Sequence, residues 1–374
     1  MRASAAIAFE VGQPLVIRDV EVADDLAPHE ILVRNVATGI CHTDVTVRDA
    51  PAESRVGQKP IVLGHEGAGI VERVGAEVST LAVGDHVVLT YYSDGSCAQC
   101  HQGREAYCES SFPANFAGTR LDGSHALTSL DGEPIAGSYH QQSSFSTYSI
   151  ATDRNAIKAP DDLPLELLAP LGCGILTGGG AVRNRIRPRP GGSFAVFGMG
   201  ALGFAALHMA KQAGCSPIIA IDLHESRLAL ATEFGATHTV TASRDGNSVA
   251  EVRKICPLGV DYSYEATGNV TVMEQAIRAL GGGGRCILSG AIIDPDARVR
   301  IAATSFLRGI DIGGVLLGDG DPFATIGAFI DDVRDGAFPI DRLITVYDFD
   351  DINVAIDDAL SGAVVKAVVR FPTD

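Results

Sequence analysis

Three cysteines, Cys97, Cys100 and Cys108, are spaced x2 and x7 in the Gly/Ser-rich stretch SDGSCAQCHQGREAYC. That spacing on a loop is a strong sign of a tetrahedral zinc site. Closing the tetrahedron takes a fourth ligand, for which the candidates are Asp94, three residues before Cys97, and His101. A second set is dispersed along the chain: Cys41 in GICHTD, His65 in GHEGAGIVERVG and Cys173 in PLGCG. Two thiolates and one imidazole leave a tetrahedral position open for substrate, which is the pattern of a catalytic zinc. Spacing alone does not assemble these three; taken singly, a buried Cys or a satisfied His is the commoner reading. Asp44 and Glu66 are adjacent carboxylates that would either orient His65 or compete for the metal.

Gly198-Met199-Gly200-Ala201-Leu202-Gly203 fits G-x-G-x-x-G. The motif alone is weak, but here it follows the strand-like FAVF and opens the helix-like ALGFAALHMAKQA. Glycines there permit a tight turn and bring backbone close to a pyrophosphate, where free N–H groups at a helix N-terminus favour anions. Asp222 ends the next strand, nineteen residues after Gly203. A carboxylate in that place accepts from both ribose hydroxyls of NAD and repels a 2′-phosphate. Arg227 lies nearby and keeps NADP open as the alternative.

The elements that must hold these residues change character along the chain. Ala5–Phe9, Leu15–Val22, Glu30–Val36, Gly67–Val74 and His86–Tyr92 are short Val/Ile-bearing runs separated by Gly, Pro and Asp, and they predict strands. From Arg189 onward, strand-like runs alternate with helix-length segments. The strands are Phe194–Phe197, Pro217–Asp222, His238–Thr241, Val260–Ala266, Arg285–Ser289 and Ile310–Leu316. Ala201–Ala213 and Glu225–Phe234 have helical spacing of apolar residues, with Gly214 and Gly235 placed to stop them. Six such strands predict a doubly wound, parallel α/β sheet. The tail predicts a helix near Asp321–Arg334, a strand Leu343–Tyr347, a helix near Asp350–Leu360 and a last strand Lys366–Phe371. Tyr91 and Tyr92 are candidates to line an aromatic substrate pocket, and the Ser/Gly/Phe-rich segment Ser110–Ser146 is a candidate for one of its walls.

At 374 residues the chain exceeds what one hydrophobic core usually supports. With 29 Lys+Arg against 46 Asp+Glu, the net charge of −17 repels phosphate backbones and anionic lipid, so no nucleic-acid or membrane partner is expected. The N-terminal MRASAAIAFEVGQ lacks the apolar run of a signal peptide. The eight cysteines are then expected to work as thiols and metal ligands in a reducing cytoplasm.

CHTD, GHEGAGIVERVG, the cysteine loop and GMGALG stand in the order seen in zinc-containing medium-chain alcohol dehydrogenases, and the resemblance covers essentially the whole chain. SSFPANFAG, QSSFSTYSI and ELLAPLGCGILTGGGAV look most like the aryl (benzyl) alcohol dehydrogenases of that family. The resemblance implies a GroES-like β-rich catalytic domain (residues 1–176 and 319–374) and a Rossmann domain with a six-stranded sheet (177–318). It implies that Cys41, His65 and Cys173 hold the catalytic zinc and that Thr43 passes the substrate proton outward. It places Glu66 behind the metal, Asp44 against His65, and His42 and Lys366 at the cofactor pyrophosphate. NAD and two zinc ions are the implied cofactors, and a primary aryl or allylic alcohol and its aldehyde the substrate pair. Self-association as a dimer or tetramer is implied along the sheet edge near Ile301–Leu317.

The sequence departs from the family pattern twice. The structural zinc of the family has C-x2-C-x2-C-x7-C, and Asp94 stands here in the first position; the expected site has one aspartate and three cysteines. Thr46 stands where many animal-type members have the histidine that ends the proton relay. The competing readings are a secondary-alcohol or polyol dehydrogenase of the same fold, a non-catalytic nucleotide-binding relative, and a zinc-loop interaction module.

Overall fold

Short β-branched runs bounded by Gly, Pro and Asp become strands because neither bulk nor spacing suits a helix there. The computed structural model describes residues 1–372, except 52, 53, 55, 243–247 and 293–295. Ten strands come first: β1 (Arg2–Ala8), β2 (Val16–Val22), β3 (Glu30–Gly39), β4 (Ile61–Val62), β5 (Gly67–Val74), β6 (His86–Leu89), β7 (Leu127–Ser129), β8 (Pro134–Ile135), β9 (Tyr148–Thr152) and β10 (Ala156–Ala159). Six follow in alternation with helices: β11 (Phe194–Phe197), β12 (Ile218–Asp222), β13 (His238–Thr241), β14 (Val260–Glu265), β15 (Leu280–Leu288) and β16 (Asp311–Gly314). β17 (Ile344–Asp348) and β18 (Lys366–Arg370) close the chain.

Two compact units result. The first comprises Met1–Cys173 and Asp321–Asp374, the second Gly174–Gly320. In the first, one sheet has the order β4-β1-β2-β7-β8 and another β10-β6-β5-β3-β18-β17, with β9 also on β3. Ile7, Val20, Ile61, Tyr139, Phe145 and Val369 share one core, and Ile31, Val33, Val71, Val87 and Leu89 another. β18 returns from the far end of the sequence to pair antiparallel with the end of β3, Val368 opposite Gly39. That pairing carries Lys366 to the place where β3 ends and the Cys41 segment begins.

In the second unit the strands run β13-β12-β11-β14-β15-β16, all pairings parallel. This is the doubly wound order whose reversal, between β11 and β14, marks the crevice where dinucleotides bind. β11, β13 and the helix Glu225–Phe234 have the bounds expected of them. Gly214 (φ +74°) and Gly235 (φ +115°) follow their helices in the left-handed conformation that ends them.

Some boundaries differ from expectation. β6 stops at Leu89 because Thr90 turns away, its hydroxyl donating to Gly172 O at 2.6 Å. β15 starts at Leu280, so it includes the four glycines 281–284, which carry no side-chain periodicity to read. The helix Gly174–Gly180 was not foreseen in GILTGGG; a Cβ at Gly178 would strike Leu202 O, so glycine there allows close packing. Among the described residues no single helix is long and apolar enough to cross a membrane.

Candidate active site

β3 ends at Gly39, and the chain turns through Cys41 into the helix His42–Arg48. Asp44, at the third helical position, reaches back so that its Oδ2 accepts from Cys41 N at 3.0 Å, a capping box that fixes the turn. Its other oxygen accepts from Gly64 N at 3.1 Å and stands 2.8 Å from His65 Nδ1. Gly64 has φ +88°, and a Cβ there would collide with Phe145 and Ser144, so the GHEG turn requires its first glycine. Gln142 clamps the same turn from the opposite side. Its amide donates to His65 O at 3.0 Å and Thr90 O at 2.8 Å, and its carbonyl accepts from Gly67 N at 3.0 Å. Gly172, packed against Leu89 O, then delivers Cys173.

Ligand atoms of Cys41, His65, Glu66 and Cys173 all lie within 4.8 Å of one another. The Cys173 thiol donates to Cys41, which holds Cys41 well below the usual thiol range and Cys173 well above it. Burial opposes charge on His65, yet the charges of Asp44 and Cys41 hold it well above the usual histidine range. Among the described residues His65 Nε2 is buried with no hydrogen-bond partner. An orphaned imidazole nitrogen beside two sulfurs is the donor set zinc takes, so the residues fit that ion. Burial pushes Glu66 up to about 7 against the pull of Lys366. Glu66 and Lys366 form a buried ion pair, and Lys366 Nζ also donates to Ile40 O at 2.8 Å. These contacts use two of the three donors of the ammonium expected at a pyrophosphate. Thr43 Oγ1 lies 3.6 Å from Cys41 Sγ. His42 is exposed, and the Thr46 hydroxyl donates to His42 O at 3.0 Å.

Asp94, Cys97, Cys100 and Cys108 also present ligand atoms within 4.8 Å of one another. His101 is exposed and joins no such group among the described residues. Backbone N–H groups of Cys100 and Glu109 hold Cys97 below the usual thiol range, whereas burial pushes Cys100 up to about 12. Asp94 N points at Cys108 Sγ, 3.3 Å away. Amides aimed at sulfur stabilise thiolate, so this loop fits zinc as well. Asp94 has a second task. Oδ1 accepts from Ser96 N at 2.7 Å and Cys97 N at 2.9 Å, and Oδ2 from the Ser110 hydroxyl at 2.8 Å. These bonds hold its carboxyl well below the usual range.

In the second unit, Gly198 (φ +95°) turns the chain out of β11, and Gly200 precedes the helix Ala201–Gln212. A Cβ on Gly203 would strike Gly198 O, whereas one on Gly200 would meet nothing within 4 Å. The first demand is internal packing; the second leaves open space beside the N–H groups of Ala201 and Leu202, as a pyrophosphate needs. Asp222 ends β12 buried, with Oδ2 accepting from Met199 N at 2.7 Å and Oδ1 from His224 N at 2.9 Å. Arg227 is half-buried in the following helix. The loop fits a dinucleotide.

Tyr91 and Tyr92 lie by the cysteine loop. Tyr91 is buried, and the charges nearest its ring are Glu105, Asp321, Cys100 and Cys108, around the cysteine loop. Tyr92 sits by Asp94 and is fixed through its backbone to Asn115. The strand ended before them and took them to the loop. The rings that do pack on His65 are Tyr139, edge-on at 5.6 Å, and His140, stacked at 4.7 Å. Burial holds His140 well below the usual histidine range, so its ring is neutral. Tyr139, His140 and Gln142 went unassigned in the sequence because only tertiary packing brings them to the metal ligands. The available signals were their place within Ser110–Ser146, the candidate wall of the pocket, and for Gln142 its place in QSSFSTYSI.

A Rossmann unit, a β-rich unit carrying a Cys/His donor set, and a separate cysteine loop together define a zinc-dependent, nucleotide-linked dehydrogenase. Comparison with known proteins agrees. Residues 27–161 match the model of the alcohol dehydrogenase GroES-like domain and residues 201–332 that of the zinc-binding dehydrogenases. The chain is 40% identical over 372 residues to a geraniol dehydrogenase of Castellaniella defragrans, covering 99% of this chain and 98% of that one. It is 33% identical to an S-(hydroxymethyl)glutathione dehydrogenase of Paracoccus denitrificans, covering 99% and 100%. The crystal structure of benzyl alcohol dehydrogenase from Acinetobacter calcoaceticus superimposes with a TM-score of 0.92 at 39% identity, over 100% of both chains. The chain belongs to the zinc-dependent medium-chain alcohol dehydrogenases, which exchange hydride between an alcohol and NAD.

Proposed function

We propose that this enzyme oxidises a primary aryl or allylic alcohol to the aldehyde, with Cys41, His65 and Cys173 as the ligands of the catalytic zinc. The observation that carries the reading is the buried His65 Nε2, left without a partner beside the two cysteine sulfurs. Zinc held there supplies the Lewis acidity that makes an alcohol hydroxyl acidic near neutral pH. NAD on the 198–203 loop supplies the hydride acceptor.

The chain's own residues do the rest. Asp44 orients the imidazole, and Thr43 accepts the hydroxyl hydrogen and passes it outward. Thr46 is bonded to the His42 carbonyl, so the proton leaves by solvent or by the exposed His42 rather than by an imidazole at position 46. Glu66 is held by Lys366 and is not a standing ligand. Asp94, Cys97, Cys100 and Cys108 hold the second zinc. Gly198, Gly200, Ala201, Leu202, Gly203 and Asp222 hold NAD, and Asp222 disfavours NADP; Arg227 is a lesser contact.

An aryl or allylic substrate is supported by the relatives' names and by a run of rings, Phe112, Phe116, His140 and His65, that leads from an exposed residue to a zinc ligand. Self-association along the β16 side is supported by exposed Phe306, Leu307 and Leu316. Eight free cysteines, two groups of them at ligand distance, support work in the reducing cytoplasm.

The test is the rise of reduced-nicotinamide absorbance with benzyl alcohol, geraniol, 2-propanol and sorbitol, each with NAD and with NADP. Turnover of the first two with NAD is expected. Preference for 2-propanol or sorbitol would replace the reading with the secondary-alcohol or polyol one.

A further inference from the structure

The segment from Ser138 to Ser146 is held in a costly conformation. His140, Gln141 and Ser143 have φ of 51°, 50° and 45°, a region non-glycine residues seldom adopt. Side-chain bonds enforce it. Gln141 donates to Ala114 O at 2.6 Å and Thr119 O at 2.9 Å, the Ser143 hydroxyl to Val62 O at 2.7 Å, and Ser144 pairs with Thr38 at 2.7 Å. Gln142 grips the zinc-ligand turn, as described above. Against this well-satisfied background, Tyr139 Oη and both ring nitrogens of His140 are buried with no hydrogen-bond partner among the described residues; the Ser138 hydroxyl is the segment's other such group. Tyr139 and His140 are 0% and 5% exposed. His140 lies flat on His65, with 27° between the rings, and Tyr139 stands edge-on to both.

Buried polar atoms are normally paired, and each exception calls for an occupant. His65 Nε2 has one in zinc. Tyr139 and His140 both pack directly on the His65 ring, and among the described residues no metal-ligand group includes His140. We propose that Tyr139 and His140 form a polar subsite for a second hydrogen-bonding group on the substrate, and that the preferred alcohol carries a phenolic hydroxyl on its ring. The inference rests on the primary aryl-alcohol reading and narrows it. The two unpaired ring nitrogens of His140 and the unpaired tyrosine hydroxyl together call for a ligand group that can both donate and accept. A phenol O–H also donates and accepts, so it satisfies the acceptor nitrogen and the tyrosine hydroxyl together. An unsubstituted aryl or terpenoid alcohol leaves these atoms dry and unpaired, which a site built for hydrogen bonding discriminates against strongly.

The experiment uses the zinc-loaded protein with benzyl, 3-hydroxybenzyl and 4-hydroxybenzyl alcohols. It reads kcat/KM with NAD and, separately, calorimetric affinity without coenzyme, alongside zinc content. One hydroxybenzyl isomer should exceed benzyl alcohol in both readouts by on the order of tenfold or more. His140→Phe should abolish that ratio, and Tyr139→Phe reduce it, with zinc content unchanged. Tyr139→Phe removes a single oxygen, so it carries the test if His140→Phe does not fold. Equal or better use of benzyl alcohol overturns the subsite, as water in the three positions would produce; so does a preference that survives both substitutions. If benzyl and both hydroxybenzyl alcohols all fail as substrates, the aryl-alcohol reading itself falls and the subsite with it.

Discussion

His65 Nδ1 and Asp44 Oδ1 stand 2.8 Å apart, each side chain 1% exposed. The carboxylate accepts the ring proton at Nδ1, the arrangement that would leave Nε2 to ligate zinc once the ion takes the place of its proton. It also accepts from Cys41 N and Gly64 N, and thereby fixes the two turns that present the ligands. An asparagine cannot serve all three donors, because one of its two heads is itself a donor. Asp44→Asn should therefore weaken zinc binding by about 10- to 100-fold, with turnover falling in step with zinc content. Metal analysis after dialysis, beside the NADH assay, checks this. Full zinc retention with near-normal turnover would remove Asp44 from its positioning role.

Asp94 divides its carboxylate between the loop backbone and the sulfur cluster. Asp94→Asn keeps an acceptor for the Ser96 and Cys97 amides but loses the negative charge a zinc ligand supplies. The protein should hold two zinc ions per chain, and the Asn variant should release one of them to a mild chelator while still oxidising alcohol. Thermal unfolding should shift downward on that release, since a closed zinc site contributes directly to folding. If the variant keeps both ions under the same chelator challenge, Asp94 only braces the loop.

Much of this organisation is readable in the residues. The β–α alternation after Arg189 is local in sequence, so strands such as β11 and β13 are legible from runs of four residues. The cysteine loop and the glycine loop are legible for the same reason: their ligands and turns are neighbours in the chain. Cys41, His65 and Cys173 are different, since 132 residues separate the first from the last; the family resemblance, not spacing, put them together. The surroundings of Tyr91 are not legible in sequence, because the strand ends at Leu89 and Thr90 turns to bond Gly172, which decides where the next residues go. His140 was hidden by a left-handed backbone that sequence does not announce, and Gln142, itself extended in φ, by lying between the left-handed Gln141 and Ser143.

Asp222 meets the glycine loop through Met199 N and braces its own turn through His224 N before it meets any ribose. Its substitution should therefore act on both the loop and the coenzyme. Asp222→Gly should lower kcat/KM for NAD by on the order of 10- to 100-fold, from the lost charge-assisted hydrogen bonds. The same change removes the charge that repels a 2′-phosphate, so the NAD/NADP ratio should narrow more than NAD activity alone explains. Steady-state kinetics with both coenzymes gives the ratio. An unchanged ratio would show that coenzyme choice is made elsewhere, with Arg227 the next residue to test.

Arg120 and Glu30 form a two-pronged buried pair, one bond of 2.9 Å from Nε to Oε1 and a second from Nη2 to Oε2, with both residues 4% exposed. The pair ties the 110–146 segment, which carries Gln141, Gln142 and the ring stack, to the start of β3. Asp25 reaches the same guanidinium from a solvent-exposed position, 3.3 Å from Nη1, and adds little once screened. Arg120→Ala leaves the Glu30 carboxylate buried opposite empty space, which should cost about 3–5 kcal/mol of stability. Replacing both partners, as Arg120→Met with Glu30→Leu, removes the stranded charge and should recover most of that loss. Denaturant unfolding of the two variants separates the cases. If Arg120→Ala alone unfolds at the wild-type midpoint, water already serves Glu30 and the pair does not anchor the segment.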